Sequence, residues 1–268
     1  MKSIKQILVP FVLSPSAEGA LKTAIVMSKI YDSKICVLHV TNTNTTEEVH
    51  RRASEICNTQ NVQFLYIERQ GNIHKEILKA ESEQHADLII MGAYGISGFQ
   101  QFWVGSNAYK VISASNCPVI TLQNDLAAFN GFHKIMLPLD DSDETRQKIN
   151  WVVALAKGHD AEVLIFCVSK TRNESTRKKL ARYAEQVQDM LEENGIKHSF
   201  DESYGNNLAE DCIKYAQLHQ CDLISMMTET EKSNSFFMGT YAQQLVSTSP
   251  IPVLSIHSRS VKIESNGL

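Results

Sequence analysis

Long hydrophobic runs and a secretion signal are absent from this 268-residue chain. No stretch approaches the 18 consecutive apolar residues that predict a transmembrane helix, so we expect no membrane partner. The first residues, Met1-Lys2-Ser3-Ile4, lead into a predicted strand without the apolar core of a signal peptide. We therefore predict a cytoplasmic protein.

An excess of positive charge is also absent. The chain has 26 basic and 30 acidic residues, a net charge of −4 and a pI near 6.1. Nucleic acids attract proteins through clustered positive charge, so we expect no nucleic-acid partner. The six cysteines include no Cys-x-x-Cys pair, and we predict that they are reduced and structural rather than redox or metal ligands.

Several catalytic motifs are missing as well. The chain has neither GxxxxGK[ST] nor GxGxxG after its first predicted strand, which argues against P-loop nucleotidases and Rossmann dehydrogenases. HExxH and GxSxG are absent too, so the sequence offers no zinc-peptidase or serine-hydrolase site. We predict no metal site and identify no catalytic residue.

What the sequence does contain is an internal repeat. Residues 4–40 align with residues 132–168 without a gap, and the match resumes for 86–89 with 221–224 and for 117–120 with 251–254. This repeat is far longer than a solenoid unit, so each copy should have its own core. We predict two domains, residues 1–125 and 132–260, with Asp125–Phe132 as the linker.

Each copy alternates short apolar runs with amphipathic stretches, the pattern of parallel strands covered by helices. Right-handed crossovers then predict an α/β fold of two tandem doubly wound domains with helices on both sheet faces. The predicted strands are Ile7–Val12, Ile35–Val40, Val62–Ile67, Leu88–Met91 and Val119–Leu122, then Ile135–Leu139, Val163–Val168, Lys197–Phe200, Leu223–Met226 and Val253–Ile256. The clearest predicted helices are Ser16–Ile30, Thr46–Cys57, Ile73–Gln84, Ser106–Ala114 and Ser175–Asn194, the last ended by Gly195.

A glycine-rich segment follows the fourth predicted strand. It contains Gly92, Gly95 and Gly98, and Gly105-Ser106 then opens a helix. Glycines let backbone amides approach an anion, and a helix N-terminus adds unpaired N–H groups, so a phosphate site is one interpretation. A tight strand-to-helix connection is the other, and spacing alone leaves both open.

The pattern Gly92-x2-Gly95-x9-Gly105-Ser106, with Val9-Pro10 ending a first strand and Pro118-Val119-Ile120 forming a last one, closely resembles the universal stress protein family. The resemblance covers almost the whole chain twice. It implies that each half is a five-stranded parallel sheet in the order 3-2-1-4-5. It also implies ATP or another adenine nucleotide as ligand and a cytoplasmic role linked to stress.

The resemblance implies a set of candidate site residues in the first half. The glycines and Ser106 would approach the ribose and phosphates, while Val40 and Met91 would line the adenine pocket. The candidate set is Pro10, Val12, Val40, Met91, Gly92, Gly95, Gly105, Ser106 and Asn107. Val12 departs from the family pattern. Members of the family have an acidic residue at this position, and its carboxylate accepts hydrogen bonds from the nucleoside. Leaving those ligand groups unpaired costs about 1–3 kcal/mol.

The second half departs in the opposite way. It keeps the acidic residue, Asp140, but Met227 and Thr230 replace the first two glycines. Glu229 and Glu231 would repel phosphates placed beside them, so we expect poor triphosphate binding in this half. Asp140 then has an alternative role as a turn or helix-capping residue with Ser142.

Candidate contact surfaces remain. The aromatic pairs Phe102-Trp103 and Phe236-Phe237 could close the core, cover a pocket or form a homodimer contact. The resemblance also implies that the last strands, Pro118–Leu122 and Pro252–Ile256, pair antiparallel and make the chain an intramolecular pseudo-dimer. No protein partner is identified.

Three functions stay open from the sequence. The first is a binding or signalling module that holds an adenine nucleotide in its first half. The second is a slow ATPase using the same loop, although no catalytic base or metal ligand set is identified. The third is an interaction scaffold that binds no nucleotide, which Val12 and the acidic second loop favour.

Overall fold

The structure is a computed structural model, and it describes residues 4–41, 46–93, 105–124, 129–228 and 240–257. The chain clusters into two compact units. Among the described residues, one unit contains residues 4–131 together with Val246–Pro250, and the other contains Phe132–Leu245 together with residues 251–257. Most of the predicted linker, residues 125–128, lies outside the described residues, and the exact domain limits stay a prediction.

The first unit is a parallel sheet in the order β3-β2-β1-β4-β5. Helix α1 packs on α2, and α3 packs on α4, as right-handed crossovers require when helices cover both faces. Its elements are β1 Gln6–Pro10, α1 Pro15–Tyr31, β2 Lys34–Thr41, α2 Thr46–Thr59, β3 Phe64–Gln70, α3 Ile73–Glu83, β4 Leu88–Gly92, α4 Ser106–Ala114 and β5 Val119–Leu122.

The second unit repeats this order, since β10-β9-β6-β7-β8 reads 3-2-1-4-5 from its far end when its strands are numbered within the unit. The predicted α/β fold class is confirmed. Its elements are β6 Lys134–Leu139, a 3-10 helix Asp143–Arg146, α5 Ile149–His159, β7 Glu162–Ser169, α6 Glu174–Glu193, β8 His198–Tyr204, α7 Leu208–Leu218, β9 Leu223–Met227, α8 Thr240–Thr248 and β10 Val253–Ile256.

The outer strands differ most from the predicted bounds. The predictions Val62–Ile67 and Lys197–Phe200 are wrong at their ends, because β3 and β8 each continue to the residue that pairs with the last residue of the neighbouring strand. An outer strand is only partly buried and therefore carries polar residues among its apolar ones. A run of apolar residues in the sequence then covers only part of such a strand. Backbone pairing, which does not depend on side-chain type, sets the rest.

The start of α1 is also corrected. Strand β1 ends at Pro10 rather than Val12, and the helix is capped by Ser14, whose hydroxyl accepts a hydrogen bond from the Ala17 amide. Ser16, the first residue of the predicted helix, is instead buried inside it. Pro15 occupies the first helical position, where its missing N–H has no cost.

One carboxylate in each unit explains why the repeat includes the Asp-Leu-Ile segment. Asp87 accepts hydrogen bonds from the amides of Lys5 and Gln6, at 2.7 and 2.9 Å. Asp222 does the same for the amides of His133 and Lys134, at 2.7 and 2.8 Å. Each aspartate therefore ties the beginning of the fourth strand of its unit to the beginning of the first.

A buried glutamate holds the connection before β5. Glu81 of α3 is only 4% exposed, and its Oε1 accepts hydrogen bonds from the Ser115 hydroxyl and from the amides of Asn116 and Cys117, at 3.0, 2.6 and 2.9 Å. Both amides belong to the turn between α4 and β5, and the Cys117 amide also donates to the Ser115 hydroxyl at 3.3 Å. Glu81 thus supplies an acceptor for the Asn116 amide and a closer one for the Cys117 amide.

We predict that Glu81→Ala lowers the free energy of unfolding by about 1–3 kcal/mol, because the Asn116 amide loses its acceptor and the Cys117 amide keeps only its 3.3 Å bond to the Ser115 hydroxyl. Glu81→Gln should cost less, since its amide oxygen can still accept from the turn. Urea denaturation would measure both changes. Glu83→Ala, which removes an exposed carboxylate on the same helix, is the control and should cost about 1 kcal/mol or less. Equal stability of Glu81→Ala and the wild type would contradict this role.

Candidate functional site

A cavity of about 220 Å³ opens in the first unit where β1, β2 and β4 end. Pro10 and Phe11 form its edge at β1, Leu38 lies on β2, and Met91 lies on β4. The first turns of α3 and α4 close the remaining sides. This is the crevice at which doubly wound sheets generally bind ligands.

The cavity brings most of the candidate residues together. Gly95 lies outside the described residues, as do the aromatic pairs Phe102-Trp103 and Phe236-Phe237. Whether the lining residues bind a nucleotide stays a prediction. The candidates that line the cavity are Pro10, Val12, Val40, Met91, Gly92, Gly105, Ser106 and Asn107.

Gly92 is required by packing, whatever binds in the cavity. A Cβ at this position would lie 2.5 Å from Ser16 Oγ and 3.0 Å from the Ala17 nitrogen. The first turn of α1 therefore rests directly on the end of β4, and any side chain at Gly92 would push it away. This contact with α1 gives Gly92 a packing role, while the choice between a phosphate site and a tight connection to α4 stays open.

Gly105 places the N-terminus of α4 beside β4. Its amide donates to the Ala93 carbonyl at 3.0 Å, and an added Cβ would lie 3.2 Å from the same oxygen. As the N-cap of α4, Gly105 has no side chain that could accept from the first turn. The amides of that turn, at Ser106 and Asn107, are left for another acceptor at the edge of the cavity.

The wall of the cavity is more apolar than the glycine motif suggested. Sequence reasoning missed Phe11, Leu38, Ile73 and Ile77, all of which line it. The i,i+4 pair at the start of α3 was a signal that could have identified two of them. Ser106 and Asn107 carry the polar side chains among the described lining residues. The cavity therefore suits a ligand with an apolar, flat part and a polar or anionic part near α4.

Asp140 has the turn role that the sequence left as its alternative. Its Oδ1 accepts hydrogen bonds from the Ser142 amide, at 3.0 Å, and from the Ser142 hydroxyl. Its own amide donates to Thr145 Oγ1, also at 3.0 Å. These contacts shape the chain between β6 and the 3-10 helix without any ligand.

In the second unit, two side chains meet at positions that correspond to two residues of the first cavity. By the offsets of the repeat, Cys212 corresponds to Ile77 and Tyr241 to Asn107, both of which line the first cavity. The Tyr241 hydroxyl lies 3.2 Å from Cys212 Sγ. Burial raises the pKa of the Cys212 thiol to about 12, so the thiol stays protonated. The loop with Glu229, Thr230 and Glu231 lies outside the described residues.

Lys148 is the least expected group of the second unit. It corresponds to the buried Ala20 of α1 and is itself only 3% exposed. Its Nζ lies 3.4 Å from Thr145 Oγ1. Burial lowers the pKa of Lys148 to about 8, and the charge of Asp140 opposes that shift. A buried ammonium with one long hydrogen bond should destabilise the folded state.

We predict that Lys148→Met is more stable than the wild type at pH 7, by about 1–3 kcal/mol, and that the difference disappears as the pH rises. Below pH 8 both folded and unfolded chains carry the charged lysine, and only the folded chain is penalised. Between about pH 8 and 10.5 the folded chain loses this proton first, so wild-type stability gains relative to the variant.

Urea denaturation at several pH values would measure that difference. Cysteines and tyrosines also titrate above pH 9, and comparison of the variant with the wild type cancels their contribution. Lys157→Met, at an exposed position of the same helix, is the matched control and should show a difference that hardly depends on pH. A Lys148→Met difference that is equally independent of pH would contradict the prediction.

Other chemistry is sparse in the described part of the chain. All six cysteines are buried and free, and burial raises the pKa of Cys36, for example, to about 11. The described residues contain no group of three or more histidine, cysteine or acidic side chains that could hold a metal ion. Within the same residues, no helix has the length and apolar character needed to cross a membrane.

Comparison with known proteins agrees with the repeat. The model of the universal stress protein family matches residues 46–123 and 131–257. Together these two regions cover more than half of the chain, and one lies in each half.

Individual relatives match parts of the chain. Universal stress protein YxiE of Bacillus subtilis is 33% identical over 76 residues, which are 28% of this chain and 51% of that protein. The chain thus spans about half the length of this relative. Universal stress protein Sll1654 of Synechocystis is 27% identical over 133 residues, or 44% of this chain and 85% of that protein.

A solved structure matches over almost the full length. The crystal structure of a universal stress protein from Archaeoglobus fulgidus is 19% identical, with a TM-score of 0.76, and the match covers 94% of this chain and 98% of that one. At this identity the likeness establishes the fold alone.

Proposed function

The chain belongs to the universal stress protein family, and on that premise we propose that it is a cytoplasmic binding or signalling module whose first half binds ATP or another adenine nucleotide. The observation that carries the proposal is the cavity at the ends of β1, β2 and β4. It has an apolar wall and, on one side, the first-turn amides of α4, which have no side-chain cap among the described residues.

The two parts of the cavity fit the two parts of a nucleotide. A purine ring offers flat apolar faces, which Val40 and Met91 can contact, and a phosphate can accept from the amides of Ser106 and Asn107. A volume of about 220 Å³ is below the roughly 300–1,000 Å³ of typical ligand pockets. We infer that the base and sugar would fill the cavity and that the phosphates would lie towards α4.

Val12 limits the affinity that this cavity can reach. It lines the cavity as an apolar side chain, so hydroxyl groups of a sugar placed beside it would lose water without gaining an acceptor. The binding free energy lost in this way is about 1–3 kcal/mol. We therefore expect weak nucleotide binding in the natural protein.

A scaffold that binds no nucleotide is the second candidate, and the second unit favours it. Tyr241 meets Cys212 where the first unit has its cavity, so we propose no nucleotide site in that half. Slow ATP hydrolysis has less support. The described residues that line the first cavity include no carboxylate or histidine that could activate water.

We predict that three substitutions separate these functions. Gly95→Asp should abolish ATP binding by placing a carboxylate in the glycine-rich segment, where it would repel phosphates. Val12→Asp should strengthen binding about tenfold by restoring an acceptor for the sugar. Asp140→Ala should leave the affinity nearly unchanged. Calorimetric titration of the full-length protein with ATP measures all three.

The same titrations decide against the proposal if they come out otherwise. A dominant effect of Asp140→Ala would move the site to the second unit. Unchanged affinity in Val12→Asp would mean that the first cavity is not the nucleotide site. No detectable binding by the wild type or by Val12→Asp would favour the scaffold.

We also propose that the last strands of the two halves, Pro118–Leu122 and Pro252–Ile256, pair antiparallel and make the chain an intramolecular pseudo-dimer. A homodimer through the loops of Phe102-Trp103 and Phe236-Phe237 would be a further step. The proposal is supported by the tendency of proteins to cover the exposed edges of their sheets.

Hydrogen exchange tests the strand pairing in the full chain. A strand that pairs on one side only leaves every second amide facing away from its neighbour. We expect all amides of Val119–Leu122 to be protected if β5 has a second partner. Rapid exchange at alternate residues of this strand would contradict the pairing.

A further inference from the structure

A polar and basic group stands at the edge of the first cavity. His74 follows the lining residue Ile73 on α3, and its ring interacts with the side chain of Asn107, which lines the cavity from α4. Lys110 lies three residues beyond Asn107, on the same side of α4, and its charge acts on His74. We name His74, Asn107 and Lys110 the α3–α4 rim.

The imidazole of His74 has unused hydrogen-bonding capacity. Its Nδ1 is shielded from solvent and has no hydrogen-bond partner among the described residues. Burial and then the charge of Lys110 lower the pKa of His74, while the side chain of Asn107 opposes these effects and the charge of Lys75 adds a further lowering. The ring is therefore mainly neutral at pH 7.

The charges around this ring are mainly positive. Lys110 reaches it from α4, and Lys75 is its neighbour on α3. Glu76, two residues after His74 on α3, has its carboxylate 3.5 Å from the guanidinium of Arg69 on β3 and is already paired there. An anion at the rim would thus meet cations whose charge is not compensated by this part of α3.

We propose that the α3–α4 rim recognises the anionic group of the bound ligand and that His74 takes up a proton from solvent when this group binds. The inference rests on the proposed nucleotide site and names the residue that distinguishes a phosphate-bearing nucleotide from its nucleoside. The bond formed by the proton is the N–H of the imidazolium, which can then donate to a phosphate oxygen.

The physical reason is that a bound phosphate reverses the electrostatic potential at the His74 ring. Without a ligand, Lys110 disfavours a second positive charge on His74; with a phosphate between them, both cations are attracted to the same anion. The complex then holds one more proton than the free protein near neutral pH. Affinity for a phosphate-bearing nucleotide should rise as the pH falls, and affinity for adenosine should not.

Calorimetry of the full-length protein with ATP and with adenosine tests this linkage. Each titration is run at about pH 6 and about pH 8, in two buffers of different ionisation enthalpy, so that proton uptake is measured directly. We expect wild-type affinity for ATP to rise by about three- to tenfold more than that of His74→Gln over this range. The phosphates of ATP change their protonation equally in both experiments. The difference between the wild type and His74→Gln therefore measures the contribution of the His74 ring.

Two further variants sharpen the test. Lys110→Met should weaken ATP binding several-fold while leaving adenosine affinity unchanged, and the His74 ring protons should titrate at higher pH in NMR spectra of the free variant. His85→Asn removes another histidine from the same unit, at an exposed turn before β4 with φ of 50°. Asparagine tolerates this backbone conformation, and this control should keep the wild-type proton uptake.

The outcomes separate the rim from the site itself. If ATP binds with no proton uptake, or if His74→Gln retains the uptake, the inference about His74 is wrong and the proposed function stands. If adenosine binds and ATP does not, the rim recognises no anion. If neither ligand binds, both the inference and the proposed nucleotide site are wrong.

Discussion

The adjacency of the first and fourth strands is the constraint on which each half of this protein depends. The chain leaving β1 continues to β2, towards one edge of the sheet, whereas the chain leaving β4 continues to β5, in the opposite direction. Chains that leave in opposite directions open a crevice at the carboxyl ends of the two strands. Asp87 fixes their opposite ends together through two backbone amides, and so sets the geometry from which the cavity follows.

The two halves share a strand order but differ in the side chains beside the crevice. In the first, Ile77 and Asn107 leave a cavity between them. In the second, their counterparts Cys212 and Tyr241 touch, and Lys148 introduces a buried charge. The same strand order therefore accommodates different side chains at corresponding positions beside the crevice.

The glycine motif illustrates the same separation of frame and function. Gly92 is required because α1 begins against the end of β4, and Gly105 because α4 begins beside Ala93. Both contacts lie within the first unit itself and need no ligand to explain them. In the function that we propose, the side chains around the motif, such as Val12 on the wall and His74 at the rim, discriminate among ligands.

The sequence by itself determined the repeat, the fold class and the approximate place of nearly every strand, since apolar periodicity directly reports burial under helices. It also identified most of the candidate residues that meet in one cavity. Only the tertiary structure decided where β3 ends, that Ser14 caps α1, and which residues of α3 and α4 face each other. These features depend on pairing and packing between segments far apart in the chain, as between Glu81 and the turn before β5, and local patterns carry no record of such contacts.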